Sequence, residues 1–270
     1  MIVALFILVF WIPAFMSGMT HGKDMNISIA AEALFYWGTL PITNTLLVAL
    51  VISLVLIVLA FVATKKLKEV PSGMQNFLEL VMEGMFDFIT SVTHDREKSR
   101  KFFPIVATIF IFVLLSNLVE VVPGLGTIGI WGTHNGHTVL IPFLRSSSAD
   151  LNVTIAIAVV SVMSLQIMGI ATIGFVKYAS KFFNFHNPIL FFVGILELVS
   201  EVAKIISFSF RLFGNIFAGE VLLTVVLFLA PYAAPLPFLF LELFVGLVQA
   251  LVFSMLTLVF LMMATVEAEH

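Results

Sequence analysis

A guanidinium lies deep inside an apolar stretch of this 270-residue chain. Arg211 occupies the centre of Phe208-Ser209-Phe210-Arg211-Leu212-Phe213-Gly214-Asn215-Ile216-Phe217. A charge of this kind at the middle of a bilayer costs about 2.5–3.5 kcal/mol on insertion scales. Arginine does not escape by releasing its proton, because its pKa lies above about 12. At the helical turn of about 100° per residue, Glu197, Ser200, Lys204, Ser207 and Asn215 fall within about 40° of Arg211, and Glu201 about 80° away. Glu220, nine residues on, projects from the opposite face. Further along, Glu242 and Gln249 share a helical face at about 20° offset, with Gly246 between them to admit a close neighbour.

These residue types suit the movement of protons. Buried carboxyls near one another can pass a proton. With the closing segments turned back on each other, Glu220 lies at about the depth of Glu242, and Arg211 nearer Gln249. Glu197, Glu201 and Lys204 supply polar groups on the other side of Arg211. An unbroken line of titratable groups would leak. A guanidinium that keeps its proton interrupts that line and attracts a mobile carboxylate, and this chain has none to offer, so the carboxylate belongs to a partner. A structural ion pair such as Glu201–Lys204 accounts for single charges, but not for the whole stripe together with Glu220, Glu242 and Gln249.

The elements that position these residues follow from the apolar pattern. Hydrophobic residues make up 61% of the chain and charged ones 11%, against roughly 45–50% and 25% in a soluble domain. The expected fold is an all-α polytopic membrane protein. Spans of about the length a bilayer needs are predicted over 43–63, 102–122, 150–174 and 238–266. An apolar segment over 188–230 is roughly twice that length and must tilt, break or lie partly in the membrane plane, with Pro231, Pro235 and Pro237 closing it. Residues 70–94 alternate Phe77, Leu80, Val81, Met85 and Phe88 against Gln75, Glu79, Glu83 and Asp87, an amphipathic helix on the membrane surface. Residues 123–149, rich in Gly, Ser and His, read as an exposed loop.

Residues 1–40 form a leader and surface segment, and 41–270 a single membrane domain. The apolar run from Met1 to Met16 fits either a signal peptide without its usual basic start or an interfacial leader. Lys65, Lys66, Lys68, Arg96, Lys98, Arg100 and Lys101 crowd one inter-span loop, with Lys177 and Lys181 on the same side. By the positive-inside rule the amino end is outside and the carboxyl end cytoplasmic.

Several functions are excluded or unsupported. Net charge is −3 with no basic tail, so no nucleic acid is expected. The chain has no cysteine, hence no disulfide, thiolate or Cys-based metal site. There is no G-x-x-x-x-G-K-S/T pattern for nucleotide phosphates, and no nucleophile–base pair that would make an enzyme. His134-Asn135-Gly136-His137 reads as a turn rather than a metal site, and no cofactor is expected. Two readings remain at this point: a self-contained ion-coupled transporter, which no internal repeat supports, and one half of a proton-conducting interface.

The segment Arg211-Leu212-Phe213-Gly214-Asn215-Ile216-Phe217-Ala218-Gly219-Glu220 resembles the signature of the a-subunit family of F-type ATP synthases, the stator of their proton-translocating membrane sector. Gln249-Ala250-Leu251-Val252-Phe253, Asn117 with Glu120, Ser148-Ala149-Asp150-Leu151-Asn152-Val153-Thr154 and Pro41-Ile42-Thr43-Asn44-Thr45 are similar to other segments of that family, so the likeness runs from about residue 30 to the end. The resemblance implies that Arg211 faces the carboxylate of a rotating c-ring, with Asn215 and Gln249 as polar neighbours. It implies that Glu220 and Glu242 form an outer half-channel, with Asn117, Glu120, Asp150 and Asn152 along it, and that Glu197 and Ser200, with Glu201 and Lys204, line an inner one. Many relatives carry a His at one of the two outer positions; here both are carboxyls. The implied partners are the c-ring, b-type peripheral stalk subunits and the lipid bilayer. The implied place is a bacterial plasma membrane or an organellar energy-transducing one, and the chain itself is non-catalytic.

Overall fold

The structure, a computed structural model, describes residues 30–37, 40–65, 73–122, 128–134, 137–182, 188–229 and 235–265. The possible leader at 1–29 lies outside these, as do 135–136 between the two histidines. In chain order the elements are β1 (Ala33–Trp37), β2 (Leu40–Thr43), α1 (Asn44–Lys65), α2 (Met74–Thr93), α3 (Arg96–Val121), β3 (Gly129–His134), β4 (His137–Pro142), a short 3-10 turn (Ser147–Ala149), α4 (Leu151–Ile173), α5 (Phe175–Ser180), α6 (Pro188–Leu229) and α7 (Pro235–Thr265). Five of the described helices, α1, α3, α4, α6 and α7, are long and apolar enough to cross a membrane. The fold is therefore that of an all-α polytopic membrane protein, decorated with two small hairpins.

Local chemistry sets the helix ends. The Thr43 hydroxyl accepts the Leu46 amide at 3.2 Å and caps α1. Asp95 caps α3 by accepting the Glu97 and Lys98 amides at 2.9 and 3.2 Å. With that cap, the basic run Arg96–Lys101 becomes helix, so α3 begins six residues before the 102 expected from hydropathy alone. Helix α2 starts after Gly73 at φ 63° and stops at His94, which is left-handed at φ 52°. Helix α6 runs unbroken for 42 residues, about 63 Å at roughly 1.5 Å per residue. Pro235 and Pro237 sit in the first turn of α7, where a missing amide proton costs nothing.

One expectation is corrected. Residues 123–149 are not simply an exposed loop: β3 and β4 pair antiparallel, from Gly129 opposite Pro142 to His134 opposite His137, and Arg145 to Asp150 are buried. Short hydroxyl side chains make that burial tolerable. Ser146 Oγ donates to the Ser116 carbonyl at 3.0 Å, and Ser147 Oγ to Ser116 Oγ at 2.7 Å. Helix α5, about one and a half turns long, follows Gly174 at φ 90°; hydropathy gives no signal for so short an element.

The chain forms two compact units. The first comprises the described parts of Met1–Leu54, Phe112–Thr154 and Arg211–Gln249; the second those of Val55–Ile111, Ile155–Phe210 and Ala250–His270. The second has a conventional apolar core of Ile89, Phe102, Val106, Val162, Leu165, Leu258 and Leu261, with Phe208 against the Phe253 ring at 4.9 Å. The first buries apolar Val48, Val113, Leu212 and Ile216, but also Asn44, Thr45, Ser116, Asn117, Asp150, Glu242 and Gln249. Buried polar groups on that scale need partners or a purpose.

Candidate functional site

Three carboxyls and a guanidinium meet in the first unit. Glu120 comes from the last turn of α3, Glu220 from α6, Glu242 from α7, and Arg145 from the segment after β4. Arg145 Nη2 and Nε both donate to Glu220 Oε2, at 2.8 and 3.2 Å. Its Nη1 donates to the Ala30 carbonyl at 3.4 Å. The Arg145 side chain is 8% exposed and Glu220 31%. The Glu120 and Glu242 carboxyls are close enough to act on each other and on Glu220 through their charges, and among the described residues no donor meets any of their four buried oxygens. Glu242 packs on the α6 backbone at Gly219, where an added Cβ would stand 2.7 Å from Glu242 Oε1.

Beside this cluster, in the same unit, α6 presents Arg211 and Asn215 on an exposed face while Leu212 and Ile216 are buried on the other. Asn215 Nδ2 donates to Gln249 Oε1 at 2.6 Å, tying α6 to α7. Gln249 Nε2 is buried without an acceptor. Asn117 Nδ2 donates to the Gly246 carbonyl at 2.9 Å, and its Oδ1 is buried without a donor. Gly246 makes that approach possible: a Cβ there would lie 3.1 Å from Asn117 Cβ.

Asp150 and Asn152 are placed differently. Asp150 Oδ2 accepts the Thr45 hydroxyl at 2.7 Å, and Oδ1 accepts the Asn152 amide and Nδ2 at 2.9 and 3.1 Å. Asp150 thus caps α4 and ties it to the start of α1. These bonds run to Thr45 and Asn152 rather than to the three glutamates.

The second unit holds the remaining candidates. Lys181 Nζ pairs with Glu197 at 2.8 Å. Lys204 Nζ pairs with Glu201 at 2.6 Å and lies 4.8 Å from the Phe260 ring centroid. Glu201 Oε2 is buried without a donor, and Ser200 is exposed on α6. Tyr178 on α5 donates to Gln166 Oε1 at 2.6 Å. Burial first, then Glu201 and Glu197, push its hydroxyl up to about 12, so Tyr178 keeps its proton.

Two of these partners, Arg145 and Lys181, carry signals in the sequence only as loop charges, and nothing in spacing ties either to a carboxylate. Composition offers one clue: Arg145 is the lone Lys or Arg of the segment 123–149.

Apolar helices long enough to span a membrane, with carboxyl and guanidinium groups buried among them, define a multi-pass membrane protein with charged groups in its interior. The family model described as ATP synthase A chain matches residues 45–262. Similar proteins include ATP synthase subunit a of Campylobacter jejuni subsp. jejuni serotype O:23/36 (strain 81-176), 35% identical over 81% of this chain and 88% of that one. ATP synthase subunit a of Moorella thermoacetica is 31% identical over 90% and 97%. ATP synthase subunit a 3 of Pelobacter propionicus is 35% identical over 81% and 86%. The chain belongs to the ATP synthase a-subunit family, a membrane-sector subunit of the complex that couples ion transport to ATP synthesis.

Proposed function

We propose that this chain is the stator proton channel of a bacterial rotary ATP synthase, with two offset half-channels separated by Arg211. A proton enters from outside at the cluster of Glu120, Glu220 and Glu242, neutralises a carboxylate on the c-ring, rides with the ring, and leaves inward past Ser200, Glu201 and Glu197. Arg211 faces the ring, attracts each arriving carboxylate and drives off its proton. Asn215 and Gln249 hold the α6–α7 contact beside it. The amino end is outside the plasma membrane and the carboxyl end cytoplasmic, with b-type stalk subunits bracing the chain against rotation. The chain binds no nucleotide and does no bond chemistry of its own.

The observation that carries this reading is the donor-less Glu120–Glu242 pair in the unit that also exposes Arg211. An ionised carboxyl only accepts hydrogen bonds; a protonated one also donates. A proton between these two therefore satisfies both, and it can move on. The test is Arg211→Ala in the assembled complex. ATP-driven proton pumping into membrane vesicles is expected to vanish while the complex stays assembled, and Arg211→Lys is not expected to restore it, because a lysine held away from water against a partner can lose its proton. Near-normal pumping by Arg211→Ala would overturn the proposal.

A further inference from the structure

Three carboxyls share the entry cluster, but their surroundings divide them. We propose that Arg145 is a positioning residue for proton entry, clamping Glu220 in place as a fixed carboxylate so that the moving proton sits on Glu120 and Glu242. The inference rests on the reading of this cluster as a proton path.

The division follows from the donors. Both Nε and Nη2 of Arg145 converge on one oxygen, Glu220 Oε2. Such charge-assisted bonds are among the strong ones and need no proton on the carboxyl. Arg145 is itself held, being 8% exposed and bonded to the Ala30 carbonyl. Its guanidinium keeps its charge at every working pH. Among the described residues, no donor meets Glu120 or Glu242. Among the described residues, Arg145, Glu120 and Glu242 bring charged or titratable groups to Glu220. The charge of Arg145 also reaches Glu120, but its Nε and Nη2 donors close on Glu220, and Glu120 and Glu242 are left to share a proton. The arrangement also fixes where the negative charge of the entry lies. It stays at Glu220, beside the pair, and favours arrival of a cation there.

A merely structural ion pair would lose assembly or stability when broken, without a pattern specific to proton flow. The test is a charge cycle in membranes carrying the assembled complex with its catalytic sector stripped, reading passive proton conduction. Arg145→Gln and Glu220→Gln are each expected to slow conduction about tenfold, the scale of coupling between contacting charges. The double variant, which removes both charges together, is expected to conduct faster than either single one. Arg145→Gln combined with Glu242→Gln is expected to conduct no faster than Glu242→Gln alone. Parent-like conduction by Arg145→Gln, or a double variant no faster than the slower single, overturns the role.

A second measurement does not depend on Arg145→Gln assembling. Infrared spectra of the purified complex are expected to lose protonated-carboxyl intensity in Glu120→Gln and Glu242→Gln, and to keep it in Glu220→Gln. Loss in Glu220→Gln instead overturns the proposal. The broader reading fails separately: conduction unchanged by Glu242→Gln would remove the proton path itself, whereas blocked conduction with a failed Arg145 cycle would remove only the clamp.

Discussion

A buried carboxyl without a donor is a place where a proton can wait, and an amide cannot take over that duty. Glu120→Gln and Glu242→Gln keep size and hydrogen-bonding capacity but remove the site of protonation. Each is expected to slow proton uptake from the outer side by roughly 10²-fold, the scale of losing a positioned acid or base; the measurement is pumping rate against external proton concentration, and a change confined to inner-side access would reverse the assignment of sides. Asn215 and Gln249 are another matter. Their 2.6 Å bond joins two amides, which orient neighbours and carry no proton. Asn215→Ala and Gln249→Ala are therefore expected to reduce pumping by only a fewfold, the size of one net hydrogen bond of about 1 kcal/mol. Severity equal to Arg211→Ala would mean that the amides do more than hold the contact. Tyr178 shows the opposite limit: a hydroxyl pushed up to about 12 by burial and by Glu201 and Glu197 donates steadily to Gln166 and takes no part in proton exchange at working pH.

At the scale of elements, the site depends on how closely α3, α6 and α7 approach. Gly246 lets Asn117 rest on the α7 backbone, with 3.1 Å between Asn117 Cβ and the position of an added Cβ. Gly246→Ala asks that contact to give by a few tenths of an ångström, and Gly246→Leu cannot be accommodated without separating the helices. The leucine variant is expected to lose the Asn117 bond and cost about 1–3 kcal/mol by overpacking, read as reduced complex assembly and slower pumping, with the alanine variant milder; parent-like behaviour of the leucine variant would show that the approach is not needed. The same elements show what a sequence discloses. Spans α1, α3, α4, α6 and α7 were legible because twenty or so apolar residues leave few alternatives, and Arg211 because a charge inside such a run stands out. The stripe on α6 followed from helical period alone. What could not be read was the work of the connections. The burial of Arg145 to Asp150 depends on serine hydroxyls meeting Ser116, some thirty residues away in sequence. The bonds of Asp150 to Thr45 and Asn152, which make it a helix cap, were equally hidden. Lys181 and Arg145 read as loop charges until the fold set each beside a glutamate.

At the scale of the whole molecule, what the chain leaves exposed matters as much as what it buries. Exposed apolar side chains run along α1, at Leu50, Val51, Leu54, Ile57, Val58 and Phe61, and along α7, at Phe240, Phe244, Leu247 and Leu251. Such surface suits lipid or partner helices. Arg211 and Asn215 stand on the exposed side of α6. An arginine at membrane depth suits a carboxylate brought up to face it. The proposed partner is the carboxylate of a c-ring passing in front of it. Each proton crossing 100 mV releases about 2.3 kcal/mol, and that energy becomes rotation only if the ring carboxylate is the sole connection between the two half-channels. The chain alone then has two dead ends. Purified by itself and placed in liposomes under an imposed potential, it is expected to pass no protons above the lipid background and to move no solute. With the ring protein reconstituted beside it, conduction is expected to appear, and to disappear again when the intramembrane carboxyl of the ring is replaced by its amide. Solute movement by the isolated chain would favour a self-contained transporter. Proton flux without the ring would mean that Arg211 does not interrupt a continuous path, and the two half-channels would have to be redrawn as one.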